Sequence, residues 1–259
     1  MAPAWRGRAL LTHRDAARRH PQEMLRYLLA GKEIDNLTYD IANTDDLVAP
    51  LAEVLDVSME DLAGYLHEAQ NDRELHQRLV AALRTRRDRP NTPRFARRLG
   101  WYMAVRAEKP RVIFETGTHD GLGSALILRA LERNAGESHP GELYSFDINQ
   151  LSGWLVPPDV DSWHPIIGDS RKTLPIQLSA TPPDLFIHDI MHTKENERFE
   201  FEGALASHSG HLVLITDNAH VTTVLADIAR RHDLRHAEFA EQPVRTWYPG
   251  VKLGIALRP

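Results

Sequence analysis

The hydrophobic rhythm of the chain changes near residue 90. Before it, apolar residues recur at three- and four-residue steps. "DDLVAPLAEVLDVSMEDLAGYLHEA" (45–69) and "RELHQRLVAALRTRR" (73–87) carry this helical pattern. "HPQEMLRYLLAG" adds an earlier helix, with Pro21 near its start and Gly31 as its stop. After "RDRPNTPR" (87–94), a linker by composition, "FARRLGWYMAVRAEKP" is a helix leading into different grammar. "RVIFET", "ELYSFDI", "DLFIHDI" and "GHLVLITD" are short apolar runs bounded by charged residues, Gly or Pro. Helical patterns such as "GSALILRALERN" and "KENERFEFEGALAS" lie between them. Strands alternating with helices predict an α/β fold, a mainly parallel sheet with helices on both faces. "HAEFAEQP" and "VKLGIALRP" follow with no helix between them, which predicts an antiparallel C-terminal strand. The expected division is a helical N-terminal extension over 1–92, acting as a lid or in dimerisation, and an α/β domain over 93–259.

Composition narrows this little. Hydrophobic residues make up 42% and charged residues 26% of 259 residues, so a globular fold is expected rather than disorder. The net charge of −5 gives no general attraction to nucleic acid or to an anionic membrane. With no cysteine, disulfides, thiolate metal sites and cysteine nucleophiles are excluded. The N-terminus lacks the apolar core of a secretory signal, and no apolar run is long enough to span a bilayer, so a cytoplasmic protein is expected.

The chemistry clusters at strand ends. "VIFETGTHDGLGS" follows a strand and opens a helix, and Gly117 and Gly121 permit a tight turn and close approach to a ligand. The spacing is not the G-x-G-x-x-G of dinucleotide binding, and Glu115 at the strand end is ill suited to pyrophosphate. It suits an ammonium or hydroxyl. Asp147 ends the second strand, where a carboxylate grips ribose hydroxyls. Asp169 and Ser170 follow a third, placed for an adenine amine. The plainer alternative is that Glu115, Asp147 and Asp169 are helix caps or solvated strand ends.

In its order of elements and in "ETGTHDGLGS", "FDI", "GDSRKTL", "FIHDIMH" and "DN", the chain resembles the Rossmann-like S-adenosylmethionine-dependent methyltransferases from about Phe95 to Pro259. The resemblance implies that Glu115, Gly117, Thr118, Gly121 and Ser124 surround the methionine part of the cofactor. Asp147 and Ile148 would hold the ribose side, Asp169 and Ser170 the adenine, and His188 would face the cofactor or lie in the core. His119-Asp120 departs from the usual loop.

"DLFIHDIMH" and "LVLITDN" end neighbouring strands in Asp189 and in Asp217-Asn218. Converging, these oxygens would suit Mg²⁺ or another divalent cation. Catechol and caffeoyl-CoA type O-methyltransferases are similar at these positions, and there they are metal ligands. Where those families place a lysine base, this chain has His192, as the sugar O-methyltransferases do, followed by Thr193. Ile190 and Met191 depart from the second acid often seen in the sugar-type relatives. The resemblance implies an O-methyltransferase acting on a small hydroxylated molecule, a secondary metabolite or sugar-bearing compound, with His192 as general base and a homo-oligomeric assembly. Asp217 and Asn218 alternatively only shape the pocket of a metal-independent enzyme, and His192 alternatively caps the following helix.

"LAEVLDVSMEDLAGYL" also scans like a helix-turn-helix, but there is no Lys or Arg from Glu33 to Asp72, so no phosphate-binding face is expected. The basic stretch Arg84–Arg98 is expected to be a solvated helix end plus linker. "NLTYDIANTDD" (36–46) is a candidate lid loop. Trp154 and "RTWYPG" (245–250) are candidate pocket walls.

Overall fold

The computed structural model describes residues 39–86, 92–244 and 250–259, together with Arg18, Arg19, Pro21, Gln22 and Leu25. Most of the expected helix at 20–31, most of the linker and "RTWYP" lie outside the described residues. The short strand β1 (Asp40–Ile41) precedes helices α1 (Val48–Leu55), α2 (Met59–Gln70) and α3 (Arg73–Leu83). The periodic stretch 45–69 divides at Asp56, whose left-handed φ of 58° closes α1. The Ser58 hydroxyl accepts from Asp61 N at 3.0 Å and so starts α2.

A 3-10 turn (Ala96–Arg98) leads into α4 (Leu99–Glu108), and the α/β alternation follows. It runs β2 (Val112–Thr116), α5 (Leu122–Gly136), β3 (Glu142–Asp147), β4 (Trp163–Ile167), α6 (Ser170–Ala180), β5 (Leu185–His188), α7 (Lys194–Ser207), β6 (Leu212–Thr216) and α8 (Val224–Arg231). Strands β7 (Arg235–Ala240), β8 (Pro243–Val244) and β9 (Lys252–Arg258) close the chain.

The main sheet has the order β4-β3-β2-β5-β6-β9-β7. The pairs β3–β4, β2–β3, β2–β5 and β5–β6 are parallel, and β9 runs antiparallel to both β6 and β7. This is the expected Rossmann-like sheet with its antiparallel C-terminal strand. Strand order reverses beside β2, which opens a crevice at the carboxyl ends of β2 and β5. Ile113, Leu185 and Val213 pack with α1–α5 on one face, while Phe114, Phe186 and Leu214 pack with α6–α8 on the other. Burial on both faces is why these strands are continuous apolar runs rather than alternating ones. No helix among the described residues is long and apolar enough to cross a membrane.

The acids of the front half meet arginines of the α/β half. Asp72 caps α3 by accepting from Leu75 N at 2.9 Å, and it also accepts from Arg129 and Arg133 of α5, each at 2.7 Å. Burial raises the Asp72 carboxyl, but these partners outweigh it and bring it down to about 2. Glu68 likewise accepts from Tyr102 Oη at 2.6 Å and Arg106 Nε at 2.8 Å. The candidate lid is tied down from Tyr39 onward. The Tyr39 hydroxyl donates to Glu241, Asn43 Nδ2 donates to Ala240 O at 3.0 Å, and β1 pairs with β8.

Candidate active site

The glycine loop lies between β2 and α5. Gly117 has φ +90°, and a Cβ there would overlap the Asp189 carbonyl oxygen, so the loop can press against the end of β5 only with glycine. Gly121 has φ +87°, and a Cβ would come 2.9 Å from Gly153 Cα. The segment after β3 folds over this loop: Gly153 N donates to His119 O at 2.7 Å and Trp154 Nε1 donates to Asp120 Oδ1 at 2.6 Å. Trp154, a candidate pocket wall, is thereby a brace for the loop. Thr118 is buried and its Oγ1 lacks a hydrogen-bond partner.

Glu115 does not present its charge to the crevice. It is 1% exposed, on the α4–α5 side of the sheet. Its Oε2 accepts from Ser124 Oγ at 2.6 Å and from Ser145 Oγ at 2.8 Å. Burial raises its carboxyl to about 7, outweighing the two hydroxyls that lower it. Ser124 is thus a partner of Glu115 beneath the loop. Asp147 stands at the crevice, its Oδ2 accepting from His119 N and its Oδ1 from Asn149 N, each at 2.8 Å. Ile148 and Leu151 beside it are each 74% exposed. Asp169 caps α6 by accepting from Arg171 N at 3.0 Å, and Ser170 is buried at the first position of that helix.

The second cluster gathers at the ends of β5 and β6. His188 is fully buried on the α7 face, and its Nδ1 lies 2.7 Å from Glu200 Oε2. Its Nε2 has no hydrogen-bond partner, and its ring stands edge-on to His192 with centroids 5.4 Å apart. His192 Nε2 is 2.7 Å from Asn218 Nδ2 and 3.7 Å from Asp189 Oδ1. Burial lowers the His192 imidazole to about 4, with His188 adding to the effect and Asp217 opposing it. Thr193 caps α7, accepting from Asn196 N at 3.2 Å. His220 lies in the turn after β6, where its Nδ1 accepts from Lys252 N at 3.4 Å and its charge adds to the lowering of His192, and helix α8 starts only at Val224.

Two residues that sequence reasoning set aside dominate this cluster. Arg97 and Arg98, expected in a solvated helix end, are 0% and 4% exposed. Arg97 Nε donates to Asp217 Oδ1 at 2.9 Å, and Arg97 Nη2 donates to Asp217 Oδ2. Arg97 N also donates to Glu241 Oε1 at 3.0 Å. Arg98 Nη2 donates to Asp189 Oδ2 at 3.1 Å and stands 3.6 Å from Asp217 Oδ2. Burial pushes up the Asp217 carboxyl, but Arg97 and Arg98 outweigh it and hold it below its ordinary range. Asp189 goes the other way, raised by burial and by the charge of Asp217. The sequence hinted only at the need: carboxylates at adjacent strand ends, here the buried Asp217 and the half-buried Asp189, call for counter-charge, without saying which cation supplies it.

Asp189, Asp217 and Asn218, expected to hold Mg²⁺, do come together at the ends of β5 and β6, where Arg97 and Arg98 face the two carboxylates. A hard divalent cation needs free oxygen lone pairs and a negative field. Here two permanent guanidinium charges already face the carboxylates, and the Asn218 side chain is turned to His192 by its nitrogen. Among the described residues no three His, Asp or Glu side chains converge as a cation site. The donor set does not fit a divalent metal.

Comparison with known proteins agrees with the fold. Residues 114–219 match the family described as "Methyltransferase domain". The matched stretch runs from β2 to just past the end of β6, on a Rossmann-like sheet. Among solved structures it is similar to an O-methyltransferase from Bacillus cereus in complex with SAH, at 16% identity and a TM-score of 0.52, covering 88% of this chain and 100% of that one. It is also similar to the SAH-bound Podospora anserina methyltransferase PaMTH1, at 14% identity and a TM-score of 0.50, covering 75% and 93%. No curated protein matches the chain in sequence.

Proposed function

We propose that this protein is an S-adenosylmethionine-dependent O-methyltransferase acting on a small hydroxylated molecule without a divalent cation. The observation that carries the cofactor is the mouth at the β2–β5 switch point. There the glycine loop, the partnerless Thr118 hydroxyl, the Asp147 carboxylate and the exposed Ile148 and Leu151 meet. Asp147 uses one lone pair on each oxygen for the loop and keeps others for ribose hydroxyls. Ile148 and Leu151 offer an apolar surface to a base, and Asp169 and Ser170 border it. The structural neighbours bound to SAH support the same cofactor.

Bound S-adenosylmethionine supplies an electrophilic methyl group on a sulfonium sulfur. The chain's own residues position the acceptor and take its proton. His192, held in its neutral form, is the acceptor of that proton beside Asn218. Arg97 fixes Asp217, and so fixes the end of β6 on which Asn218 stands. Positioning of the two reactants supplies most of the rate.

Calorimetric titration with S-adenosylhomocysteine tests this reading. Binding to the full chain with EDTA present, and weakened at least about tenfold in Asp147→Ala, is the expected result. No binding to the wild-type chain overturns it, and binding that appears only with Mg²⁺ overturns the metal-independent part.

A further inference from the structure

Resting on that reading, the strand-end cluster poses a chemical question. A hydroxyl must lose its proton before it attacks a methyl group, and something must stabilise the oxyanion. At the ends of β5 and β6 a cation could do so. Here the place is filled by guanidinium.

The two arginines are not equivalent. Arg97 is fully committed: its Nε and Nη2 go to Asp217, its backbone N–H to Glu241, and its Nη1 lies 3.3 Å from Tyr39 Oη. Arg98 is committed on one side only. Its Nη2 reaches Asp189 and Asp217, whereas its Nη1, equally buried, has no hydrogen-bond partner. The guanidinium carbon sits 5.3 Å from the centre of the Trp101 ring, and Trp101 Nε1 is a second buried donor without a partner. A buried guanidinium N–H left unmade is costly, so it marks a place where an acceptor atom belongs. Arg98 sits by the carboxyl ends of β5 and β6, next to Asp189, whose carbonyl lies against Gly117 of the glycine loop.

We infer that Arg98 does the cation's work: its free Nη1–H receives the acceptor oxygen as that oxygen ionises, and the acceptor is an acidic hydroxyl, a phenol or enol, bound as its anion. The hydroxyl O–H bond breaks, and the proton goes to His192 or to solvent. The oxyanion forms the new C–O bond, the C–S bond breaks, and sulfur keeps its electron pair as a neutral thioether. The charges of oxyanion and sulfonium cancel in the products, so no further reactant is required. A guanidinium stays charged throughout the working pH range and offers a directed N–H, which fits a single oxygen rather than the chelating pair a metal favours.

The test uses 4-nitrophenol, whose ionisation is read by its visible band, on the full chain saturated with S-adenosylhomocysteine and treated with EDTA. The expected result is a phenolate-to-phenol ratio on the protein about tenfold above that of free dye at the same pH, one pKa unit. Arg98→Gln loses this shift, and Arg98→Lys keeps part of it, while both still bind S-adenosylhomocysteine. If either variant fails to bind it, the wild-type arm decides alone. The inference is overturned by any of three outcomes: no spectral change up to millimolar dye, a shift that requires Mg²⁺ and vanishes with EDTA, or a shift that survives in a folded Arg98→Gln. Failure of the wild-type chain to bind S-adenosylhomocysteine is a separate outcome, and it sinks the methyltransferase proposal beneath.

Discussion

Glu115→Gln isolates the most unusual carboxyl of the cofactor region. The side chain is 1% exposed and is held by two serine hydroxyls, with no cation among the described residues in hydrogen-bond contact. Its rise from an ordinary 4.5 to about 7 makes the ionised form about 3 kcal/mol costlier in the folded chain than in the unfolded one. A raised acid releases its proton on unfolding. Its stabilising contribution is therefore complete below about pH 4.5 and is lost progressively as pH climbs to about 7. Glutamine keeps the shape and never ionises, and the serine hydroxyls can rotate to meet its amide. Urea unfolding of both chains at a series of pH values is the assay. The difference in stability between variant and wild type should swing by about 3 kcal/mol in favour of the variant between pH 4.5 and pH 8. Other titrating groups are common to both chains and cancel. A swing below about 1 kcal/mol would refute the reasoning, because Glu115 would then ionise almost as it does in water.

Arg97→Met strips the buried Asp217 of its paired guanidinium and should cost about 3–5 kcal/mol in denaturant unfolding; adding Asp217→Leu should recover part of that loss, and full additivity would count against the pair. Gly117→Ala combines a φ of +90° with a clash on the Asp189 carbonyl, so S-adenosylhomocysteine affinity should fall by at least about tenfold, as measured by calorimetry. Thr193→Ala removes the cap of α7 and should lower stability by about 1 kcal/mol, with no change outside that helix in hydrogen exchange. The His192 ring protons should titrate near pH 4 by NMR. Because that imidazole is lowered on folding, its contribution to stability is present above about pH 6.5 and lost as pH falls toward 4. A midpoint near 6.5 would contradict the burial of this ring.

The alternation of strand and helix from Arg111 onward was legible because a strand buried on both faces must be an apolar run, and β2, β5 and β6 are such runs. The glycine loop was legible for a similar reason: only glycine permits the φ of Gly117 and Gly121. The cap at Ser58 follows from chemistry local to a few residues, whereas α7 is capped by Thr193 rather than by His192. Charge pairing was not legible. Nothing in the chain's order says that the acids Glu68 and Asp72 meet Arg106, Arg129 and Arg133, or that Arg97 closes on Asp217 across a separation of 120 residues. The sequence alone determined the sheet, its glycine turn and the set of carboxylates at the strand ends, since each depends on local periodicity or on one residue's backbone freedom. Tertiary structure decided which cation those carboxylates face. Coulomb energy depends on distance through space and on burial, and neither is written in spacing along the chain.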